Sequence, residues 1–514
     1  KSVIEVEVHQ SLLHFLRLQN QPHWPHNLTM ARLVARALRL GRSALIQTAS
    51  PPGSRNQQYQ LSYLLPILMW PRKTILVAPQ SVQEHLITVE IPKLLASNSN
   101  LGSSLPKKVI QTYPPQNPDF NGLLLMKPEA WLVSQWQNDH FREGIPTIID
   151  WADDLETWVQ NYLTTSFLPT HWNQLMEVYP DQADLIRETR VNLTRSLFQH
   201  PANPYSCYLV EQHEQQVLQN LIEGLSLSRR NKELQSHHLH HNFWFQWQSN
   251  GRLRWAEIHR QRGTFSLYCT PYDLSEALKN IWTKQPVVII GGALDLETKA
   301  DSYRQMMGLG DLTCVKFSPD PHHEMIQLYL PNSLPMPNTP QFQGALIAET
   351  RTLLQISSSG TNRLTVLIIG DVPLKSQVGT ALASEFGSRV QVETVAVEEN
   401  GVLITGWEFW QQHQREFKAP KLLIITTLPL PSLEHPLVSG RVNYYKQQGL
   451  DWFRLYLLPK ALQDLQRAIV SVRESQGVVA ILDSRVIRRS YGQQILTALS
   501  PFAKIDYLDT TCFI

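Results

Sequence analysis

Glycine is scarce in this chain, with 23 among 514 residues, or about 4.5% against a usual share near 7%. Any function that needs flexible backbone close to a ligand must therefore draw on a small set of positions. Cysteine is scarcer still. Cys207, Cys269, Cys314 and Cys512 are the four in the chain and form no C-x-x-C pair, which argues against a local zinc site or a dense disulfide framework and reads as buried free thiols. Charged residues make up only 18%, below the usual ~25%. No stretch approaches the roughly 18 uninterrupted apolar residues of a membrane span, and the first ten residues have no apolar core for a secretory signal. A cytosolic protein without membrane contact is expected.

What is present is a globular composition. Hydrophobic residues are 42% of the chain, with 14 Trp, 16 Tyr and 16 Phe, which excludes a disordered or low-complexity protein. The length suggests two to four domains, since single cores stop growing at roughly 250 to 300 residues. The net charge of +2 hides an asymmetry: residues 1–60 carry seven Lys/Arg against two acids, residues 139–192 three against ten, and residues 441–514 ten against six. Basic ends suit a phosphate backbone, and the acidic middle suits a solvated face or a protein partner.

Short apolar runs alternate with helical patterns in two regions, the sign of parallel sheets covered by helices. The first region has runs at 44–46, 74–78, 123–125, 147–149 and 287–290. The second has runs at 364–369, 390–397, 402–404, 422–425, 455–457 and 478–482. Two α/β domains follow. Between them, residues 157–270 read as a mostly helical insert. Asp181 is placed to cap a helix with Ile186, Leu193 and Leu197 on one face, and Val217, Leu218, Leu221, Ile222 and Leu225 stripe a second. Runs at 242–247 and 253–258 flank Gln248-Ser249-Asn250-Gly251, a hairpin signal. The expected division is 1–156 for the first part of domain one, 157–270 for the insert, 271–317 for the return to domain one, 318–340 for a proline-stiffened linker and 341–514 for domain two.

The run at 44–46 leads into Gln47-Thr48-Ala49-Ser50-Pro51-Pro52-Gly53-Ser54-Arg55 and then a helical stretch through Leu61-Ser62-Tyr63, the setting of a phosphate-binding loop. Ile148-Ile149-Asp150-Trp151-Ala152-Asp153-Asp154 closes another strand with acids. With these, Ile290-Gly291-Gly292-Ala293-Leu294, Phe409-Trp410, Leu428-Pro429-Leu430-Pro431, Gln463-Asp464-Leu465-Gln466-Arg467 and Gly477 to Arg485 follow the motif order of the DinG and XPD-like branch of superfamily two DNA helicases, which the chain resembles. The resemblance implies two RecA-like parallel-sheet domains with a mostly helical insert in the first. It also implies an ATP and magnesium site at Gly53, Ser54, Asp150, Gln463 and Arg467, and a single-stranded nucleic-acid partner.

The departures from the family pattern cluster at that site. Family loops read approximately G-T-G-T-G-K-S, whose glycines let backbone N–H groups converge on phosphates; here Pro51 and Pro52 remove donors, only Gly53 remains, and Ser54 stands where the lysine belongs. Asp150-Trp151-Ala152-Asp153 stands for D-E-A-H. The metal-binding acid is kept, and Trp151, which cannot take a proton, replaces the water-activating glutamate, a loss worth about 10² to 10⁴ in rate. Val470 occupies the place of the motif's second arginine, and Arg473, three residues on, falls one helical turn away. Gln411, Gln412 and Gln414 replace Glu, Gly and Asp. Residues 53–150 contain no cysteine, so the family's iron-sulfur cluster is excluded there. His237-His238-Leu239-His240-His241 reads as an exposed polar turn rather than a metal site. The expectation is a vestigial nucleotide site with no catalytic residue, no metal and no cofactor, on a module that binds nucleic acid or docks a protein at the acidic insert. Two alternatives stand beside it: an active helicase with a rebuilt site in which Asp153 or Asp154 replaces the glutamate, and a structural subunit that binds no nucleic acid.

Overall fold

The computed structural model describes residues 3–19, 23–52, 54, 58–98, 108–115, 120–136, 144–229, 241–357, 364–398, 400–508 and 512. Among these, strands β1 (Ala44–Gln47), β2 (Thr74–Val77), β3 (Ile110–Thr112), β4 (Leu123–Met126) and β5 (Thr147–Ile149) open the first domain. Next come β6 (Thr165–Phe167), β7 (Cys207–Leu209), β8 (Arg252–His259) and β9 (Thr264–Pro271), and then β10 (Val287–Gly291) and β11 (Thr313–Lys316). The remainder holds β12 (Ile326–Tyr329), β13 (Thr365–Ile368), β14 (Val390–Val392), β15 (Val402–Thr405), β16 (Leu422–Ile425), β17 (Val478–Ile481) and β18 (Phe502–Ile505).

The strands form a sheet ordered β11-β1-β10-β5-β2-β4-β3, a second ordered β14-β15-β13-β16-β17-β12-β18, and a third ordered β6-β9-β8-β7. Every pairing in the first two is parallel; the third is antiparallel. The expected α/β class with two parallel-sheet domains is borne out. Central strands such as β1, β2, β4, β13 and β16 are buried along their whole length, because parallel sheets carry helices on both faces and select continuous apolar runs. Helices Asn27–Leu40 and Gln60–Met69 cover one face of the first sheet with Met30, Val34, Leu64 and Ile67. Trp131, Leu155, Val159, Leu278 and Ile281 cover the other. Each large aliphatic side chain so buried contributes about 1.5 to 3 kcal/mol. Helix Asn27–Leu40 stops where Gly41 turns left-handed (φ 60°) and its N–H meets the carbonyls of Ala37 and Leu38.

Several local expectations are corrected. The run at 242–247 is a helix, His241–Gln248, whose Phe243 and Trp247, four apart, face the insert core. The hairpin lies one strand later, β8 to β9, and turns at Gly263 (φ 62°). The run at 455–457 is no strand either; it belongs to a helical turn, Phe453–Leu457, that runs into helix Leu458–Ala468. The strand expected over 390–397 ends at Val392. Gln182, not Asp181, stands at the N-cap position of helix Ala183–Gln199, although Ile186, Leu193 and Leu197 are buried on its inner face as expected. Strand β12 forms inside the proline-rich 318–340 stretch and joins the second sheet between β17 and β18. Cys207 and Cys269 are buried, and Cys314 and Cys512 partly exposed. Among the described residues no helix is long and apolar enough to cross a membrane, and no group of three or more His, Cys, Asp or Glu is placed to hold a metal. His237–His240 lie outside the described residues.

Candidate functional site

Strands β1, β5 and β10 are neighbours in one parallel sheet, so the segments leaving their carboxyl ends converge, which is where ligands bind in open α/β folds. After β1, Thr48 N–H donates to the Gly291 carbonyl (2.8 Å), Ser50 N–H donates to Thr48 Oγ1 (3.3 Å), and Ala49 is held at φ 59°. Pro51 and Pro52 are buried. A Cβ placed on Gly292 would fall 2.2 Å from both the nitrogen and the Cα of Pro51. The loop thus lies flat against the glycines that follow β10. Ser54 donates its N–H to the Pro51 carbonyl (3.3 Å) and accepts from Arg415 Nη2 (3.2 Å). Gly53 lies outside the described residues.

Asp150, at the end of β5, is completely buried. Tyr59 donates to Oδ1 (3.0 Å), Tyr63 to Oδ2 (2.7 Å), Gln60 to Oδ2 (3.5 Å), and the Trp151 N–H to Oδ1 (2.9 Å). Burial pushes this carboxyl up to about 6, although those donors pull the other way. The same burial, with Asp150 alongside, pushes both tyrosines well above the ordinary phenol value. Tyr59 and Tyr63 stand four apart, on one face of the helical stretch at 59–63. The sequence offered that spacing alone, which puts both hydroxyls on one face; that Asp150 lies beneath them is a tertiary contact. Trp151 occupies the left-handed region (φ 59°), uncommon for a bulky residue, and Arg415 lies 5.1 Å over its ring.

Asp153 accepts from the N–H groups of Gly292 and Ala293 (2.8 Å each), and burial raises its pKa. Its carbonyl accepts from Gln463 Nε2 (2.8 Å), and Asp154 pairs with Arg467 (2.5 Å). Burial works against the Arg467 charge, but Asp154 and Asp153 outweigh it and raise the pKa. Of the five site residues expected, Gln463 and Arg467 therefore reach the acidic turn at Asp153 and Asp154, Asp150 at the start of that turn is held by Tyr59, Gln60, Tyr63 and the Trp151 N–H, and Ser54 stands in the loop that Arg415 contacts. Asp153 and Asp154 are both spoken for. Arg473, one helical turn beyond Val470, is committed to main-chain carbonyls. Its two Nη atoms donate to the carbonyls of Glu324, Leu499, Ser500 and Pro501 at 2.6 to 3.1 Å. The replacement glutamines also have structural work: Gln411 Nε2 meets Asp464 Oδ1 (3.1 Å) and Gln414 Nε2 the Arg467 carbonyl (3.2 Å), while Trp410 is fully buried and donates to the Ala468 carbonyl (2.9 Å).

A family model described as the helicase C-terminal domain matches residues 396–502, the span that carries Phe409-Trp410, Gln463 to Arg467 and Gly477 to Arg485. The chain is 27% identical over 251 residues to the ATP-dependent DNA helicase YoaA of Haemophilus influenzae, covering 46% of this chain and 39% of that protein. It is 22% identical over 284 residues to the 3'-5' exonuclease DinG of Bacillus subtilis, covering 50% and 30%. An apo XPD structure superposes with a TM-score of 0.57 over 93% of this chain and 100% of that one, at 13% identity. The chain has the DinG/XPD-like helicase fold. It spans less than half the length of these sequence relatives.

Within that helicase fold, a cavity of about 710 Å³ opens between the two sheet domains. Domain one lines it with Trp24, Ala49 to Pro51, Ser54, Gly292 and Phe317, and domain two with Gln466, Ile469, Val470 and Arg473. These include the phosphate-loop and arginine-motif positions of the pattern read in the sequence.

Proposed function

We propose that this helicase-fold chain does not turn over ATP and acts as a nucleic-acid-binding or protein-docking module. The observation that carries the reading is the sealed carboxylate of Asp150. Magnesium at a nucleotide site keeps several waters in near-ideal octahedral geometry around one or two carboxylates. Both Asp150 oxygens instead face tyrosine hydroxyls, an amide and a backbone N–H in a fully buried setting, which does not fit that ion. The loop gives further support, since Pro51 and Pro52 supply no N–H and Pro51 lies packed on Gly292. So does Trp151, which has no proton-accepting group at the position of the family's base. Basic ends and relatives named as DNA helicases make single-stranded nucleic acid the first partner to test.

The reading is tested by incubating the chain with ATP, magnesium and single-stranded DNA. Phosphate release should stay at background, and turnover abolished by Asp150→Ala would establish the active alternative instead. Binding of single-stranded DNA should weaken steeply with salt, with a log–log slope of about −0.7 per phosphate contacted. A chain that binds none even at low salt is the structural subunit.

A further inference from the structure

We infer that this chain is a closed clamp whose two sheet domains stay joined without nucleotide, because domain two grips the sheet of the insert and the root of the insert at the same time. The inference stands on contacts between the domains and not on the proposed loss of ATP turnover.

The first grip comes from helix Pro436–Gln447 of domain two. Leu437, Gly440, Arg441 and Tyr444 follow the i, i+3, i+4, i+7 spacing that puts side chains on one helix face, and all four meet residues outside domain two. Leu437 packs against the insert cluster of Cys207, Leu253 and Trp255. Gly440 lets the helix close on that sheet, since a Cβ there would fall 2.6 Å from Leu253 Cδ1 and 3.2 Å from Leu209 Cδ2. The Tyr444 ring stacks on Tyr272, with centroids 4.3 Å apart and planes 3° from parallel. Just before the helix, the His435 ring lies 4.3 Å from that of Tyr205.

Arg441 reaches past the sheet to the root of the insert. It donates from Nη1 to Glu156 Oε1 (3.2 Å) and from Nη2 to Gln160 Oε1 (3.1 Å), and its guanidinium lies 5.1 Å over the Tyr456 ring. Glu156 and Gln160 share a face of helix Leu155–Leu163, whose Leu155 and Val159 are buried in the core of domain one. The second grip lands just upstream. Helix Leu458–Ala468 sends Gln463 to the Asp153 carbonyl and Arg467 to Asp154, and Arg415 covers Trp151. Segment 151–160 thus receives four side chains of domain two, and the grip is complete with protein groups alone. Swinging domain two away would part the apolar seam and strand Glu156 and Asp154 together. Removing the partner of a partly buried charge costs far more than breaking an exposed pair.

The test is single-molecule energy transfer on the full chain. One dye sits on domain two at exposed Ile487 and the other at exposed Leu40 of domain one or exposed Val191 of the insert, each attached through an unnatural amino acid. Both dye pairs should give one narrow population, unchanged by ATP with magnesium, ADP or single-stranded DNA. Gly440→Leu, which wedges the helix off Leu253, Arg441→Ala, and Glu156→Gln, which attacks the same pair from the other side, should each raise a second population at least about threefold. Circular dichroism identifies the variants that fold. A parent population that shifts with nucleotide or DNA overturns the inference, and so do folded variants that keep the parent's single population. Constant transfer in the parent with opening in the variants supports it whether or not phosphate is released, so ATP hydrolysis alone would sink only the proposed function.

Discussion

Replacing Asp150 by asparagine should make the protein relatively more stable as pH rises. In the fold the Asp150 carboxyl sits near 6 against an ordinary 3.8, because burial penalises its charge more than four hydrogen bonds relieve it. With the folded value the higher, the folded chain holds a proton across that interval that the unfolded chain has released. The stability associated with this site is complete below about pH 4 and is lost as pH climbs through about 6. A rise of about two units corresponds to about 3 kcal/mol. Asp150→Asn is neutral throughout and keeps an acceptor for the Trp151 N–H. Whatever constant offset the amide brings, the stability of the variant relative to the parent should therefore climb by about 3 kcal/mol between pH 4 and pH 7.5, or about 6 to 12 °C in the melting temperature of a domain of this size. Differential scanning calorimetry at half-unit pH steps reads it directly. A flat difference, or one that falls with pH as an ionised metal-binding carboxylate would give, refutes the sealed-carboxylate reasoning.

Two further substitutions probe the same cleft. Gly292→Ala places a methyl 2.2 Å from the backbone of Pro51, and overpacking of this kind should cost about 1 to 3 kcal/mol or more, visible as a lowered melting temperature. An unchanged melting temperature would show that the loop does not rest on Gly292. Arg467→Ala strands Asp154, which is about a quarter exposed, and should cost about 1 to 3 kcal/mol after allowance for solvent. Its signature is faster amide exchange around residues 152–156 and 463–468; exchange confined to one of the two segments would mean the pair does not tie the domains.

Much of the scaffold was readable because the central strands are short, apolar on both faces and bounded by polar segments, so β1, β2, β4, β5, β10, β13, β15, β16 and β17 all fall on runs visible in the sequence. The strands that escaped notice are edge or near-edge pieces. Ile326–Tyr329 alternates buried and part-exposed residues, and Phe502–Ile505 has no fully buried residue, so neither presents a continuous apolar run. Misread runs fail for a different reason. Phe243 and Trp247 are aromatic and favour strands by composition, but their spacing of four aligns them on one helix face against Phe167 (Phe243) and each other; tertiary packing overrode propensity. Leu458, Leu462 and Leu465 likewise share a helical face buried in the second core, and Leu457 just before them is buried too.

By itself, the sequence determined that two parallel-sheet domains form and where their loops depart from a phosphate-binding pattern, since both follow from residue type and order: proline has no N–H to give, and tryptophan has no base. Only the tertiary structure decided what those departures are for. That Asp150 lies under Tyr59 and Tyr63, that Gly292 exists to admit Pro51, and that Arg473 is spent on four carbonyls are facts about residues tens to hundreds of positions apart. Spacing along a chain fixes which side chains share a face of one element. Which elements meet, and hence which carboxylate is sealed and which arginine is committed, is set by how the cores pack.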